Sequence, residues 1–392
     1  MTLVKLLHTS DWHLGRTLMG ADLLPAQTAF LDWLLDLALR EQVDAVLVAG
    51  DVYDRAVPSV DALRALERTL VALSTAGIPV ILISGNHDSA TRLGFGSALH
   101  ESAGVHLRTR VADLDRPVVL SDEHGEVAIY GVPYLLPDAV RDELGAERSH
   151  EAVLSAATAR ILADAEARGI RRTVALAHAF ITGGHASDSE RDIRVGGIGD
   201  APAHVFNGVT YVALGHLHGP QQVSLGGSAT VLRYSGSPLA YSFSEKDHVK
   251  SVVLVELDAT GVASATTHAT PVERPLREAR GTVEQLLQRA GGDLAELAAA
   301  YVKAVLTDQR RPMAPMERLR QVWPHTIALE FEPEGGLADS AADLDRLDRV
   351  KHDPVLVCGH FVEFVGGAEP DEQEERVLRA AVETAQRDGM SA

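Results

Sequence analysis

Polar residues that can bind a divalent cation or transfer a proton recur directly after apolar stretches of strand length. The densest example is Gly85-Asn86-His87-Asp88, which follows the apolar stretch 79–83. A strand that runs into a tight, glycine-containing turn presents its last side chains at one edge of a sheet. On its own such a tetrapeptide is more often an ordinary turn than a functional site. Its interpretation therefore depends on what the other strand ends carry.

Four other predicted strands end in the same kind of residue. In chain order the residues are Asp11 and His13 after 5–10, Asp51 after 44–49, His178 after 173–177, and His216 and His218 after 211–214. Asp11 and His13 project the same way if the chain stays extended there. Each residue taken alone is more often structural: a cap, a turn or a core histidine. Ligand groups of α/β sheets collect beyond the carboxyl ends of the strands, so together and in this order the five strand ends favour one site.

The composition of this set indicates a metal centre. Its seven candidate ligands are Asp11, His13, Asp51, Asn86, His178, His216 and His218. Seven ligands are too many for one ion but suit two divalent ions that share a bridging carboxylate. Imidazole, carboxylate and amide ligands favour Mn²⁺, Fe²⁺ or Zn²⁺ over Ca²⁺ or a thiolate-selected metal. Two ions about 3.5–4 Å apart promote in-line phosphoryl displacement.

His87 follows a candidate ligand but is surplus to the metal set. A neighbouring imidazole that can be protonated is what a leaving alkoxide needs. We therefore predict that His87 is catalytic and that Asp88 orients it.

The elements that position these residues alternate between strand and helix. Apolar spacing predicts helices over 27–40 and from Ser59 to Gly77, and an alanine-rich helix over 148–168 that ends at Gly169. A hairpin is predicted around 122–125, and strands over 231–234 and 251–257 follow the helical half. This order predicts an α/β layered fold.

The sequence pattern changes between 265 and 273, where a second domain is predicted to begin. Residues 273–333 are predicted to form a small second domain with helices over 282–289 and 294–301 and strands over 301–306 and 326–331. A basic cluster in this region consists of Arg310, Arg311, Arg318 and Arg320. It is either a solvated helix face or a contact with a phosphate backbone.

Two further stretches complete the chain. The apolar stretch 353–364 and the amphipathic helix predicted over 369–386 either pack on their own domain or dock on a partner. The polar, glycine-rich stretch 183–199 is predicted to be a loop.

Length and composition limit the function classes. The 392 residues suggest two or three domains, and no apolar run reaches the roughly 18 residues of a membrane span. The start lacks the features of a signal peptide. A single cysteine, Cys358, excludes an intramolecular disulfide and a cysteine-based zinc site. We therefore expect a cytoplasmic protein with no membrane contact. The net charge of −19 argues against strong DNA binding by this chain alone.

Asp-X-His, Gly-Asp, Gly-Asn-His-Asp, a lone histidine after a strand and Gly-His-X-His, in that order, resemble the signature of the calcineurin-like metallophosphoesterases. Several segments narrow the resemblance to the SbcD family, the nuclease subunits of bacterial SbcC–SbcD complexes and relatives of the DNA double-strand-break repair nucleases. These segments are 8–15, 50–54, 189–191, 195–197, 211–218 and 235–238.

This resemblance implies a four-layer α/β/β/α sandwich with two Mn²⁺ ions, for which Mg²⁺, Fe²⁺ or Zn²⁺ are alternatives. Asp11, His13, Asp51 and His218 would hold one ion, Asp51, Asn86, His178 and His216 would hold the other, and His87 would be catalytic. The implied activity is Mn-dependent DNA cleavage, as a double-strand exonuclease and a single-strand or hairpin endonuclease. It would act with the ATPase SbcC in DNA end processing, repair, recombination and replication.

The resemblance also implies an organisation. Residues 1–265 would be the nuclease domain, 270–335 an α+β capping domain that positions DNA, and 350–392 a helical segment that docks on the coiled coil of SbcC. The protein would be a homodimer within a heterotetramer, near the nucleoid, with dimer contacts in the 59–73 region or after Asp88. Archaeal and eukaryotic members carry a histidine three residues after the bridging aspartate, where this chain has Asp54.

Two alternatives remain at this point. The chain could be a phosphoesterase for small phosphodiesters or phosphoproteins, although such an enzyme needs neither a capping domain nor a docking segment. It could also be a non-catalytic scaffold, although all seven candidate ligands and His87 are present.

Overall fold

The computed structural model describes residues 3–190, 200–333, 354–366 and 369–389. Parts of several sequence predictions lie outside these ranges. They are Arg191 and 195–197 of the family-like segments, 191–199 of the predicted loop, 334–335 of the predicted capping domain, and 350–353, 367–368 and 390–392 of the predicted docking segment. Within the described ranges, none of the helices combines the length and the hydropathy of a membrane span.

The chain divides into two units, Met1–Glu273 and Arg274–Ala392. The strands of the first unit are β1 Val4–Thr9, β2 Thr17–Leu18, β3 Ala21–Asp22, β4 Ala45–Ala49, β5 Val80–Ile83, β6 Val105–Arg108, β7 Val118–Asp122, β8 Gly125–Val132, β9 Arg172–His178, β10 Tyr211–Gly215, β11 Gln221–Val223, β12 Val231–Tyr234, β13 Ser251–Leu257 and β14 Val262–Ala269. The predicted boundary at 265 falls inside β14, which pairs with β13 along its length and so belongs to the first unit.

The helices of the first unit are α1 Leu24–Glu41, α2 Val60–Thr75, α3 Ala90–Leu93, α4 Ser97–Glu101, α5 Pro137–Leu144 and α6 His150–Arg168. The predicted caps are present. Ser59 accepts a hydrogen bond from the Ala62 amide at 3.2 Å at the start of α2. Gly169 ends α6 with a φ of 74°, a left-handed conformation that glycine adopts without a steric penalty. Helix α1 begins before the predicted residue 27 because a proline occupies its first turn, where no amide donor is needed.

Two six-stranded sheets form the centre of the first unit. Their strand orders are β14-β13-β1-β4-β5-β6 and β11-β12-β10-β9-β8-β7. In the first sheet, β1, β4, β5 and β6 are parallel, and in the second, β8, β9, β10 and β12 are parallel. The carboxyl ends of β1, β4 and β5 therefore share one edge, as do those of β9 and β10.

The apolar faces of the two sheets pack against each other. Leu6, Leu47 and Ile81 of the first sheet share one buried cluster with Leu176 and Ala213 of the second. Helices α1 and α2 cover the outer face of the first sheet, and α6 covers that of the second. The predicted four-layer α/β/β/α sandwich is confirmed.

The second unit contains β15 Leu276–Gly281, α7 Val283–Arg289, β16 Tyr301–Leu306, α8 Pro315–Arg320, β17 Thr326–Phe331, α9 Pro354–Gly366 and α10 Glu372–Gly389. Strands β15, β16 and β17 are parallel neighbours. Parallel strands need crossover connections, which here contain α7 and α8. The arrangement is thus α/β rather than the expected α+β. The helix predicted over 294–301 is only a 3₁₀ turn, Ala295–Ala299, because β16 begins at Tyr301.

Candidate dinuclear metal centre

The structure brings the seven candidate ligands and His87 together where strands of the two sheets end. Asp11 and His13 follow β1, Asp51 follows β4, Asn86 follows β5, His178 ends β9, and His216 and His218 follow β10. Apart from Asn86, which is half-buried, all of these side chains are buried. Buried carboxylates and imidazoles are expensive unless they are paired or bind a metal.

One cluster forms around His13. Its Nε2 atom lies 3.1 Å from Nε2 of His218 and 3.7 Å from Oδ2 of Asp51. Asp11, His13 and His218 each offer a ligand atom within 4.8 Å of the others. Two imidazole nitrogens and two carboxylates that converge in this way suit a borderline divalent cation.

A second cluster forms around His178. Its Nε2 atom lies 2.9 Å from Oδ1 of Asn86 and 3.4 Å from Oδ2 of Asp51. Nδ1 of His216 lies 3.2 Å from the same Asn86 oxygen. Nδ1 of His178 donates to the Ala49 carbonyl at 2.9 Å, so the ring is held with Nε2 towards the cluster. Such a hydrogen bond is the usual support of a metal-binding histidine.

Asp51 belongs to both clusters. Its Oδ2 atom lies 3.7 Å from Nε2 of His13 and 3.4 Å from Nε2 of His178. Its other oxygen, Oδ1, accepts a hydrogen bond from the His87 amide at 2.8 Å. One oxygen is therefore fixed by the backbone while the other faces both sets of imidazoles. A carboxylate in this position fits a bridging ligand between two cations.

The backbone at the site is strained. Asp11, His13, Asp51 and His216 have φ angles of 53°, 45°, 48° and 103°. A residue other than glycine costs of order 1–3 kcal/mol in such a conformation and keeps it only when the surroundings enforce it. Here the Asp11 amide donates to Gly50 O at 3.0 Å, and the His13 amide donates to Asp51 O at 2.9 Å. The chain around Asp11 and His13 is thus not extended, and these hydrogen bonds preorganise the ligands.

Glycine is required at two positions of the site because other atoms lie very close to its Cα atom. A Cβ atom on Gly85 would lie 2.1 Å from Oδ1 of Asp51, and one on Gly215 would lie 1.9 Å from the Ala49 carbonyl oxygen. Neither position has room for a side chain. Because these two residues have no side chain, the loop after β5 can approach Asp51, and the end of β10 can approach the end of β4.

Burial and mutual charge perturb the titrating groups. Burial raises the pKa of Asp11 to about 6 against the opposing effect of His178. Burial alone would lower the pKa of His178, but the Asp51 carboxylate outweighs it and raises that pKa to about 9. Burial lowers the pKa of His216 to about 3, with a smaller contribution from His178. The buried carboxylates of the cluster are thus stabilised by positive charge nearby. A bound divalent cation would supply that charge.

The hydrogen bonds of Asp88 give it a role other than the predicted one. Its carboxylate accepts hydrogen bonds from the backbone amides of Val52 at 3.1 Å, Tyr53 at 2.9 Å and Gly85 at 2.9 Å. It therefore ties the loop after β4 to the loop after β5, because a carboxylate satisfies several amides at once. The ring of His87 is instead oriented by the Asp54 carbonyl, which lies 2.8 Å from its Nδ1 atom.

Asp54 lies three residues after Asp51, where the family resemblance implies a histidine in archaeal and eukaryotic members. Its Oδ1 atom lies 3.8 Å from Nδ1 of His13 and 3.6 Å from Nη1 of Arg16. The rings of His13 and His87 meet edge to face, with their centroids 4.6 Å apart. Asp54 therefore links His13, Arg16 and His87 through both its side chain and its carbonyl.

The sequence predictions missed a buried network behind His218. Nδ1 of His218 lies 2.5 Å from Ser189 Oγ and 3.4 Å from Glu245 Oε1. Lys250 donates to the His218 carbonyl at 2.9 Å, to Ser237 Oγ at 2.9 Å and to the Glu245 carboxylate. Burial alone would raise the pKa of Glu245, but the hydrogen bond with His218 and the charge of Lys250 hold it below its usual range. The available signals were Lys250, a charged residue directly before the apolar strand β13, and the family-like segments 189–191 and 235–238, which contain Ser189 and Ser237.

A second missed residue, Gln27, supports the loop after β1. Its side-chain amide donates to the carbonyls of His13 at 2.7 Å and Trp12 at 3.1 Å, and its oxygen accepts from the Gly15 amide at 3.0 Å. The helical pattern of α1 placed Gln27 near its first turn but gave no indication of these partners.

The arginines of the predicted basic cluster make contacts within the second unit. Arg318 pairs with Glu284, and Arg320 donates to the Thr326 carbonyl at 2.9 Å. The guanidinium of Arg311 lies over the ring of Phe331, 5.5 Å from its centroid. The contact of this cluster with a phosphate backbone stays a prediction.

A comparison with family models matches residues 4–220 to the calcineurin-like phosphoesterases. A second model, SbcD_C, described as the Type 5 capsule protein repressor C-terminal domain, matches residues 272–356. The first match agrees with the fold described above and contains all seven candidate ligands.

Curated relatives extend over most of the chain. The SbcD protein of the nuclease SbcCD from Staphylococcus saprophyticus is 32% identical over 334 residues, which are 83% of this chain and 84% of the relative. The corresponding SbcD protein from Staphylococcus epidermidis is 30% identical over 91% of this chain and 92% of its own length. Among solved structures, TT1561 of Thermus thermophilus matches 68% of this chain and 99% of its own, with a TM-score of 0.41 and 17% identity.

Proposed function

Because this chain belongs to the calcineurin-like phosphoesterase family, and within it to the SbcD family of nucleases, we propose that it is a metal-dependent DNA nuclease. Its enzyme class follows from the family: it is a phosphodiester hydrolase. The proposed activities are exonucleolytic cleavage of double-stranded ends and endonucleolytic cleavage of single strands and hairpins. The observation that supports this best is the position of Asp51 Oδ2, 3.7 Å from His13 and 3.4 Å from His178. We propose that the protein acts in the cytoplasm beside the nucleoid, where its proposed substrate lies.

The donor set fits two divalent cations, and we propose Mn²⁺, with Mg²⁺, Fe²⁺ or Zn²⁺ as alternatives. Asp11, His13, Asp51 and His218 would hold one, and Asp51, Asn86, His178 and His216 the other. Two bound cations supply charge stabilisation for both the attacking and the leaving oxygen of an in-line displacement. The protein's own contribution is to hold the ligands in place through the strained loops and their hydrogen bonds.

The proposed role of His87 is to give a proton to the departing sugar oxygen. Because Nδ1 donates to the Asp54 carbonyl, the opposite ring nitrogen, Nε2, would be the one that transfers the proton. His87 is buried beside His13, and its backbone amide holds Asp51. The ring is therefore fixed relative to the metal ligands.

Replacing His87 with glutamine is expected to lower DNA cleavage by about 100-fold to 10,000-fold, the usual contribution of a positioned proton donor. Metal content should stay at the wild-type level, because the backbone amide that holds Asp51 is retained. Initial rates and elemental analysis of the purified variant test this. His204→Gln, at an exposed histidine, is the matched control. Wild-type cleavage by His87→Gln would exclude the proposed role.

The proposed function is tested by cleavage of end-labelled linear double-stranded DNA in Mn²⁺, with and without an SbcC-type ATPase and ATP. Asn86→Ala removes the oxygen shared by His178 and His216 and should abolish cleavage. A small chromogenic phosphodiester is assayed alongside. Turnover of that diester without any DNA cleavage, even with the ATPase, would instead identify a phosphoesterase for small substrates.

We propose that the partner ATPase docks on α9 and α10. Leu356 and Phe361 on α9 and Val377 on α10 are exposed. Exposed apolar side chains grouped on one element are typical of interaction sites, and an amphipathic helix commonly lies in a partner's apolar groove.

Phe361→Asp in the full chain is expected to weaken binding of an SbcC-type ATPase at least about tenfold, because a charge would replace an exposed aromatic anchor. Truncation after residue 333 should abolish binding and leave the metal content unchanged. Biolayer interferometry measures both. Met313→Asp, at a methionine that is 89% exposed in the same unit, is the control. Unchanged binding by both altered chains would place the docking site elsewhere.

We also propose that the first unit forms a homodimer through α2 and α4. A groove of about 710 Å³ is lined by Leu63, Val71 and Phe95. Phe95 is 83% exposed and Leu99 80%. Such a concentration of exposed apolar side chains favours association with a second copy.

Phe95→Asp is expected to convert the dimer to a monomer, because burying an unpaired carboxylate in an apolar interface is costly. Sedimentation velocity over a range of protein concentrations measures the change. Met19→Asp, at an exposed methionine outside the groove, should leave the dimer intact. A dimer that persists in Phe95→Asp would rule out this face.

A further inference from the structure

A second pocket lies beside the loop that follows His218. It has a volume of about 660 Å³ and is lined by residues of five segments of the first unit. We call it the Arg233 pocket, after the arginine in its wall. It is within the size range of small-molecule sites.

The Arg233 pocket is connected directly to the ligand His218. Gly219 and Pro220, which line it, follow His218 in the chain. His248 and Val249 line the facing wall and directly precede Lys250, which donates to the His218 carbonyl at 2.9 Å. A ligand in the pocket would therefore contact the loop that carries the candidate metal ligand His218.

The walls of the pocket are held together without a ligand. The side chain of Gln221 accepts from the His185 amide at 2.8 Å and donates to the His185 carbonyl at 2.9 Å and the Gly219 carbonyl at 3.1 Å. A Cβ atom on Gly219 would lie only 3.2 Å from the His248 ring. The pocket is thus preformed, with the imidazole of His248 against the backbone.

The positive charge of Arg233 is the feature that best indicates which ligand the pocket binds. Arg233 is half-buried, and its one hydrogen bond among the described residues is from Nη1 to the Ala265 carbonyl at 3.1 Å. Its Nε atom is buried without a partner, and no carboxylate of the described residues forms an ion pair with its guanidinium. Guanidinium groups in such surroundings normally pair with a carboxylate or a phosphate. The pocket therefore carries an uncompensated positive charge, in a chain whose net charge is −19.

The rest of the lining suits a flat apolar ring. Pro220 and Val249 contribute apolar surface, and Val249 is 72% exposed, so that a bound ring would find it accessible. The imidazoles of His185 and His248 also line the pocket. Aromatic and apolar side chains of this kind receive nucleobases by stacking.

We propose that the Arg233 pocket is a nucleotide-binding subsite, which takes the nucleotide next to the phosphodiester that is cleaved. Arg233 pairs with the phosphate of that nucleotide, and Pro220, Val249 and the two imidazoles receive its base. The proposal rests on the proposed DNA nuclease function. It predicts that DNA is recognised better than a small diester because an additional nucleotide is bound.

The first test measures binding without catalysis. Equilibrium dialysis of the full chain in EDTA, with labelled deoxyadenosine monophosphate, is expected to show saturable binding. Val249→Glu, which places a carboxylate at the mouth of the pocket, and Arg233→Gln should each weaken it at least about tenfold through repulsion or loss of charge. Val272→Glu, at another exposed valine, should leave it within about twofold of wild type. No binding by wild type, or equal binding by all chains, would overturn the proposal.

The second test separates the subsite from the nuclease function. The ratio of kcat/KM for an oligonucleotide to kcat/KM for a small chromogenic diester is compared among the same chains. The ratio should fall about tenfold in Val249→Glu and stay near wild type in Val272→Glu. A wild-type chain that cleaves only the diester would defeat the nuclease function itself. A wild-type chain that cleaves DNA, with the ratio unchanged in Val249→Glu, would defeat the subsite alone.

Discussion

Asp51→Asn is expected to reduce the bound metal from two ions to at most one and to lower phosphodiester hydrolysis at least about 1000-fold. The amide keeps the shape of the side chain but removes the negative charge that both imidazole clusters face, at 3.7 Å from His13 and 3.4 Å from His178. One substitution would thus remove a ligand from both proposed ions. Elemental analysis and initial rates on a small chromogenic diester measure the two effects.

Asp142→Asn is the matched control, because that carboxylate is 95% exposed and lies outside the centre. It should leave both quantities unchanged. Wild-type metal content in Asp51→Asn would show that this residue does not bridge two ions. Wild-type hydrolysis as well would reject the dinuclear centre.

Lys250→Met is expected to destabilise the metal-free protein by about 3–5 kcal/mol, the usual result of removing one partner of a buried ion pair. Methionine retains the apolar part of the side chain but leaves the Glu245 carboxylate buried without its cation. Both residues are almost completely inaccessible to solvent. Urea denaturation, monitored by circular dichroism, measures the decrease in the free energy of unfolding.

The double variant Lys250→Met with Glu245→Gln isolates the charge effect. Neutralising Glu245 should restore part of the free energy of unfolding that Lys250→Met removes. The effects of the two substitutions on that free energy should therefore be clearly non-additive. Lys5→Met is the control, since Lys5 is 34% exposed and its pair with Glu256, at 3.8 Å, is worth at most about 1 kcal/mol. A loss in Lys250→Met no larger than in Lys5→Met would show that the buried pair does not stabilise the fold.

The strand ends were predictable because strands buried on both faces appear as continuous apolar runs. That pattern located Asp51 after β4, Asn86 after β5 and His178 at the end of β9, and the order of the motifs indicated the fold. Local patterns also predicted the Ser59 cap and the Gly169 terminus, which depend only on neighbouring residues.

Features that depend on distant residues were not predictable. Ser189 and Glu245 form a hydrogen bond although they lie far apart in the chain, and no spacing rule connects either with His218. An extended chain would align Asp11 with His13, but hydrogen bonds to the loop after β4 impose left-handed conformations on both. Asp88 likewise acquires its role from Val52 and Tyr53, which are adjacent to it only in the folded molecule.

The pairing of β1 with β13 determines when the proposed metal centre can form during synthesis. Val4 pairs with Leu257, so the first sheet is completed only after the ribosome has synthesised nearly all of the first unit. Asp11 and His13 emerge early but are held in place only by a sheet that is assembled late. A site rarely exists before the chain has folded, so the two proposed ions would be held only after β13 has paired with β1.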